Sequence, residues 1–291
     1  MLKLSGVKMN NFVLNSRLLN LICISLFFLG LNSIFCKLAL SSNFIDAFTF
    51  TFFRLLAGAI TLILIYFYKT KKIVISIKSN WLSSFTLFLY AISFSYAFLN
   101  MDAGLGTLIL FAVVQVVMVI FSLFFKEKLS VLKIIGIIIA LLGLVNLLYP
   151  QEGFEVSLFH ALLMIIAGIS WAIYSVLGKN NLSPLFNTMD NFTKSLIFIG
   201  IFYIIFLPEN SFYTKEGLFL AFISGSLTSA IGYVLWYEIL PKLQYITAGV
   251  IQLFVPIISI LIGVIFLNES LTITLLLSTL TIFTGILITV F

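Results

Sequence analysis

Long apolar runs separated by short polar ones dominate the chain. A helix needs about 20 apolar residues to cross the hydrocarbon core of a bilayer. Runs of that kind recur at about 18–40, 47–68, 81–101, 103–125, 132–149, 158–178, 193–207, 217–240, 246–267 and 271–291. The pattern predicts an all-α integral membrane protein with ten transmembrane helices. The connecting segments are short, and none is long enough for a soluble domain. Two boundaries are set least firmly. The third and fourth runs meet at Asn100-Met101-Asp102-Ala103, and the seventh is short before Leu207-Pro208-Glu209.

Composition agrees with this reading. Of 291 residues, 62% are hydrophobic and 9% are charged, where a soluble domain carries roughly 25% charged residues. Mean hydropathy is +1.23. The net charge of +6 does not point to nucleic acid, because the basic residues sit in short loops, where they orient a membrane chain. With the N-terminus inside, Lys3, Lys8, Arg17, Lys69, Lys71, Lys72, Lys78, Lys126, Lys128, Lys133, Lys179, Lys194 and Lys242 all fall on the inner side. Only Lys37, Arg54 and Lys215 fall outside or in outer helix halves. The segregation predicts both termini in the cytoplasm and a multi-pass protein of the cytoplasmic (inner) membrane. Residues 1–17 are then a cytoplasmic segment. The first apolar run is too long for a signal peptide, and no small-residue cleavage site follows it.

Cys23 and Cys36 lie thirteen positions apart on one predicted helix. That is about 20 Å, too far to bridge. His160 is the sole histidine and opens a helix near a loop. With no His/Cys cluster, neither a metal nor another cofactor is expected.

The chain carries an internal repeat. "FFKEKLSVLKIIGIIIALLG" from Phe124 and "IFLNESLTITLLLSTLTIFTG" from Ile265 align Glu127 with Glu269, an offset of 142 (269 − 127). The same offset pairs Leu129 with Leu271, Ser130 with Thr272, Gly143 with Gly285, Gly30 with Ala172, Ser33 with Ser175 and Lys37 with Lys179. Residues 18–149 and 158–291 then each hold five helices. An odd number makes the halves run in opposite directions, the inverted repeat of many secondary carriers, whose site lies at the midplane between halves. A duplication with no transport role is the competing explanation.

These stretches resemble the EamA type of the drug/metabolite transporter superfamily. The resemblance rests on "FFLGLNSIFCKLAL" from Phe27, "FTFTFFRLLAGAITLIL" from Phe48, "FFKEKLSVLKIIGIIIALLGLVNLL" from Phe124, "GISWAIYSVLGK" from Gly168, and "GYVLWYEILPKLQYITAGVIQLFVPIISILIGVIFLNESLT" from Gly232. Its most specific element is an apolar helix ending in Glu-x-Leu-Ser/Thr, present in both halves. The halves differ where Val114 stands for Pro256 and Leu29 for Trp171. The resemblance implies ten helices, a central cavity and movement of amino acids or other small organic molecules.

Polar groups inside a bilayer are costly, so each needs an explanation. Arg54 lies about eight residues into the second run, roughly 12 Å from its end, as an ion-pair partner, polar anchor or substrate contact. Lys37 and Asp102 share its side, so the three could form an outer gate. Lys179, Lys194 and Glu238 form the inner counterpart. Asn32, Ser33, Tyr90, Tyr96, Gln115, Trp171, Tyr174, Ser175 and Gln252 are candidates for the solute pathway, since a few polar groups in an apolar wall suit an amphipathic solute. Each could instead serve packing. Trp236 and Tyr237 lie close to a membrane face, where an interfacial belt is expected. Pro256 is a hinge candidate, because it frees a carbonyl inside the ninth run. Gly136-x-x-x-Ala140 and Thr281-x-x-x-Gly285 favour close helix contact, within a monomer or in a homodimer.

The function expected is a secondary carrier that exports an amino acid or related amphipathic metabolite. Uptake or exchange of a nucleoside-type or S-adenosyl metabolite is the alternative. A membrane scaffold or a membrane-embedded enzyme would be a non-transport role, but no paired acids and no Gly-x-Ser-x-Gly lie at membrane depth to serve catalysis. No Gly-rich phosphate loop supports an ATP-driven pump. All acidic residues fall in loops or near helix ends in this reading, with Asp102 and Glu238 the deepest. Weak or absent proton coupling is therefore expected.

Overall fold

The computed structural model describes residues 16–72, 80–125, 130–148, 157–179, 183–208 and 211–290. Residues 1–15 and 149–156 lie outside the described residues, as do Lys78, Lys126, Glu127 and Lys128. Among the described residues, eight helices are long and apolar enough to cross a membrane. They are α1 (Ser16–Ser41), α2 (Ala47–Thr70), α3 (Trp81–Asn100), α4 (Ala103–Phe124), α6 (Leu158–Gly178), α7 (Pro184–Phe206), α8 (Lys215–Lys242) and α9 (Tyr245–Leu267). Two further helices, α5 (Val131–Leu148) and α10 (Ile273–Val290), pack along each other. The outer surface is a sheath of exposed apolar side chains such as Leu64, Phe124, Ile204 and Phe266.

Local chemistry sets the helix ends. Asp46 caps α2 by accepting from Thr49 N–H, and Lys71 closes it with a left-handed φ of 57°. Thr214 caps α8 by accepting from Gly217 N–H at 3.2 Å. Pro184 opens α7, where its fixed φ suits a first helical turn and its missing N–H costs nothing. This corrects the start expected at residue 193. The first three turns carry Asn187, Asp190, Asn191 and Lys194, so they do not read as apolar, yet all four are buried. Inside α9 the helix breaks at Leu253, and Pro256 sits in the first turn of the segment that resumes at Phe254. The proline cannot donate to the carbonyl one turn back.

Corresponding elements recur at the spacing found in the sequence. Helix α4 starts at 103 and α9 at 245 (245 − 103 = 142). The 3-10 turns that end α3 and α8 cover Phe98–Asn100 and Leu240–Lys242, again 142 apart (240 − 98). Helices α5 and α10 start at 131 and 273 (273 − 131 = 142).

Small residues let helices meet backbone to backbone. A Cβ on Gly285 of α10 would overlap Gly136 O and Ala140 N of α5. The two small-residue patterns therefore pack on each other within one chain. Asn146 adds a hydrogen bond to Ser278 at 2.9 Å. Gly225 of α8 lies against the Arg54 carbonyl of α2, and Gly58 of α2 lies under the Phe192 ring. The α1–α2 loop is also tied to the α7–α8 loop. Asp46 N–H donates to Phe212 O at 3.2 Å, Thr214 N–H to Phe44 O at 2.7 Å, and Phe212 N–H to the Asp46 carboxylate at 2.8 Å.

The α2–α8 crossing generates a prediction. Gly225→Ala should lower the thermal unfolding temperature in detergent, at a cost of about 1–3 kcal/mol for an overpacked contact. Gly200→Ala on exposed α7, where nothing lies within 4 Å, should leave it unchanged or raised. Equal behaviour of the two variants would contradict the close crossing.

Candidate functional site

Arg54 is the centre of a polar cluster inside the helix bundle. It is 1% exposed. Its Nε–H donates to Ser229 Oγ at 3.0 Å, and Nη2 donates to Tyr233 OH at 2.8 Å and Tyr90 OH at 3.3 Å. The Tyr90 and Phe94 rings flank the guanidinium at 5.4 and 5.2 Å, within cation–π range. Asn32 of α1 completes the group. Its Nδ2 donates to Tyr90 OH at 3.3 Å and Tyr233 OH at 3.5 Å. Its Oδ1 accepts from Ser224, Thr228 and Ser229 at 2.7, 3.2 and 3.4 Å.

The geometry of α8 gathers those hydroxyls. Residues Ser224–Ile231 are π-helical, a form common at functional sites because i→i+5 bonding re-aims side chains. The wider turn brings Ser229 onto the face already shared by Ser224 and Thr228. Gly225, on the α2 side, allows α8 close enough for Ser229 to reach Arg54.

An aromatic wall adjoins the polar cluster. The Trp171 ring lies 4.7 Å from Tyr233, 5.1 Å from Tyr90 and 5.7 Å from Tyr174, centroid to centroid. Trp171 Nε1–H donates to Gln252 Oε1 at 2.6 Å, and Gln252 Nε2 donates to Ala248 O at 3.1 Å. Trp236 Nε1–H donates to Ser175 Oγ at 3.3 Å, and Tyr237 OH to Tyr174 O at 2.8 Å. These two aromatics were expected in an interfacial belt. Both are instead fully buried, because they pack against α6 through Ser175 and Tyr174. The Tyr174 hydroxyl, one Arg54 nitrogen (Nη1) and both amide atoms of Gln115 are buried without a hydrogen-bond partner among the described residues.

Of the expected pathway residues, the structure brings Asn32, Tyr90, Trp171, Tyr174, Ser175 and Gln252 together. Ser33 is buried beside Asn32. Gln115 stands apart, packed against Gly249. Tyr96 is half-buried, and its ring tilts on Phe202 at 6.5 Å. Tyr233, Phe94 and the α8 hydroxyls were missed. The signal for them was "SGSLTSAIGYVLWY" from Ser224, where polar and aromatic residues share one apolar run. The expected central cavity is a closed, packed core in this conformation, since its side chains are 0–4% exposed.

The charged rims differ from expectation. Arg54 turns inward to the cluster and does not meet Lys37 and Asp102 in an outer gate. Interior hydroxyls within reach explain the choice. Lys37 Nζ donates to Phe98 O at 3.5 Å, and exposed Asp102 begins α4 without a side-chain cap. The cap comes instead from Glu269 in the α9–α10 loop. Its carboxylate accepts from Ala103 N–H at 2.5 Å and Gly104 N–H at 3.2 Å, at the positive end of the helix. Burial pushes this carboxyl above the usual range, and the two N–H bonds oppose the rise.

The inner trio does not converge either. Lys179 Nζ donates to Leu243 O and lies 3.7 Å over the Tyr245 ring. Lys37 and its repeat partner Lys179 thus each hold a carbonyl at or beside the 3-10 turn that follows in their own half. Lys194 forms a buried ion pair with Asp190 at 2.7 Å. Asn80 donates to Asp190 Oδ2 and Asn187 Oδ1, each at 3.2 Å. Glu238 is half-buried and takes no part. Asp190 lies near a helix end, as expected of the acids, but it is more deeply buried than Asp102 and Glu238, which were expected to be the deepest. It is 0% exposed, in the second turn of α7.

Removing one member of a buried pair strands a charge and costs about 3–5 kcal/mol, whereas removing both costs far less. Asp190→Leu and Lys194→Met should therefore each lower thermal stability more than the double variant does. A double variant as unstable as the two single losses added together would contradict the pairing.

The sequence profile of the EamA-like transporter family matches residues 18–149 and 158–291. An uncharacterized protein of Pseudomonas aeruginosa is 36% identical over 240 residues, covering 82% of this chain and 83% of that one. The uncharacterized transporter YoaV of Bacillus subtilis is 27% identical, over 83% of this chain and 86% of its own. A probable amino-acid metabolite efflux pump of Salmonella typhimurium is 24% identical, over 60% and 62%. A solved crystal structure shares the fold with a TM-score of 0.71 at 15% identity, over 93% of this chain and 98% of its own. With its eight apolar spans and the family profile matched over both halves, the chain is a multi-pass membrane protein that belongs to the EamA-like transporter family.

Proposed function

We propose that the chain is a secondary carrier that moves a small organic metabolite, an amino acid or a related amphipathic solute, out of the cell by alternating access. The observation that carries this reading is the buried cluster itself. Its side chains come from α1, α2 and α3 of one half and from α6, α8 and α9 of the other. A site shared equally by two repeats is where carriers of this construction bind solute. Family and relatives indicate a transporter and not an enzyme. The efflux of amino-acid metabolites named for the Salmonella relative supports the solute class and the direction.

In this reading the chain spans the inner membrane ten times, as two inverted five-helix repeats covering 18–149 and 158–291, with both termini in the cytoplasm. The recurring element starts support the repeats. The bonds between the α1–α2 and α7–α8 loops support the orientation, since charge places both loops outside. The closed core is then an occluded state. Glu269 on α4 and Asp46 on the α7–α8 loop hold the outer rim. Asp190 with Asn80, and Lys179 on Leu243, hold the inner rim. Opening to either side breaks one set while the other stays intact.

Two measurements test the reading. Cysteines at Asn43 and Lys72, in a Cys23→Ala background, should label from opposite faces with an impermeant reagent. Labelling from one face would overturn the topology. Purified protein in proteoliposomes should move at least one member of a panel of amino acids, nucleosides and S-adenosyl compounds above empty vesicles. Folded Trp171→Ala should lose most of that flux, and unchanged flux would remove the cluster from the pathway.

A further inference from the structure

The guanidinium of Arg54 lacks an opposite charge. Burying an ion away from water is costly unless it is paired and hydrogen-bonded. Nε and Nη2 find only neutral hydroxyl oxygens, those of Ser229, Tyr233 and Tyr90. Nη1, with two N–H donors, finds no partner among the described residues. Among the described residues the ion pair within the spans is Lys194–Asp190, so no carboxylate neutralises Arg54. The flanking rings of Tyr90 and Phe94 offset part of the deficit, since each cation–π contact contributes only about 0.5–2 kcal/mol. What remains is a positive charge with a free donor pair, placed where both halves meet.

We propose that Arg54 Nη1 receives a single negative charge carried by the solute, which makes the transported class small organic monocarboxylates with an apolar or aromatic body, amino acids included. The inference rests on the carrier reading and goes further by naming the group that is recognised. A planar guanidinium presents paired N–H donors that match a carboxylate. One cation balances one negative charge. A phosphate dianion would leave a second charge uncompensated in a low dielectric. The Tyr233 ring, whose hydroxyl bonds the guanidinium, and the Trp171 ring packed on it supply the apolar surface for the rest of the solute. Asn32, whose amide bonds both tyrosine hydroxyls, holds those hydroxyls in register when the site is empty.

The test uses matched pairs that differ only in charge. The wild-type protein is heated in detergent with phenylacetate or phenylacetamide, and with L-phenylalanine or L-phenylalaninamide, and phenethylamine serves as a cationic control. The same compounds are followed into proteoliposomes. The carboxylates should raise the unfolding temperature and be moved, and each amide should be at least about tenfold weaker, the equivalent of one charge-assisted bond. Arg54→Gln should abolish the difference within each pair, and Arg54→Lys should keep part of it. If Arg54→Gln fails to fold, the wild-type pairs decide alone. Amides or the amine bound and moved as well as the acids would overturn the inference and leave the carrier reading standing. A folded Arg54→Gln that still prefers the acids would also overturn it. A folded wild type that neither binds nor moves any member overturns the inference, while the carrier reading is judged on the wider solute panel.

Discussion

A bilayer offers no water to a buried ion, so the position of Arg54 constrains everything packed around it. Its side chain needs several oxygen partners, and they arrive on two other helices, α3 and α8. Tyr90 brings α3, Ser229 and Tyr233 bring α8, and Asn32 of α1 fixes both tyrosine hydroxyls. Two departures from regular helix packing serve that arrangement. Gly225 lets the α2 and α8 backbones touch, and the π-helical Ser224–Ile231 turns three hydroxyls to one side. The cation therefore sets the crossing of helices from both halves, and sidedness follows from what holds the rims.

The rims use another economy. Each ties a helix end to a loop or helix far away in sequence, and each does so with a few polar contacts on or near backbone. Glu269 caps α4 across 166 residues. Asn80 and Asp190 join α3 to α7 across 110. In the proposed carrier these contacts hold the closed state, and one set releases while the other stays.

The helices were legible in the sequence because lipid demands long apolar runs, and the repeat was legible because Lys, Glu and Gly recur at one offset. Asn32, Tyr90, Trp171, Tyr174, Ser175 and Gln252 could be singled out because a polar atom in an apolar run must go inward. Other features depended on contacts that no local pattern encodes. Hydropathy placed the start of α7 too late, since Asn187, Asp190, Asn191 and Lys194 satisfy one another or α3 and so tolerate burial. Counting from the end of a run put Trp236 and Tyr237 in an interfacial belt, because their packing on Ser175 and Tyr174 of α6 shows in no local periodicity. The Glu-x-Leu-Ser motif was visible, but its role as a cap belongs to a helix in the other half of the chain. Arg54 was recognised as anomalous, and its partners proved to be hydroxyls and not the acid that its charge suggested.

The central claim is that this cluster alternates between the two faces of the membrane. Ser224 lies within it, bonded to Asn32. A Ser224→Cys variant in a background without Cys23 and Cys36, reconstituted in one orientation, can be exposed to an impermeant thiol reagent from either side. The account predicts modification from both sides in separate experiments, and protection from both by a transported solute. Modification from one side only, or none from either side in a protein that still transports, would contradict it.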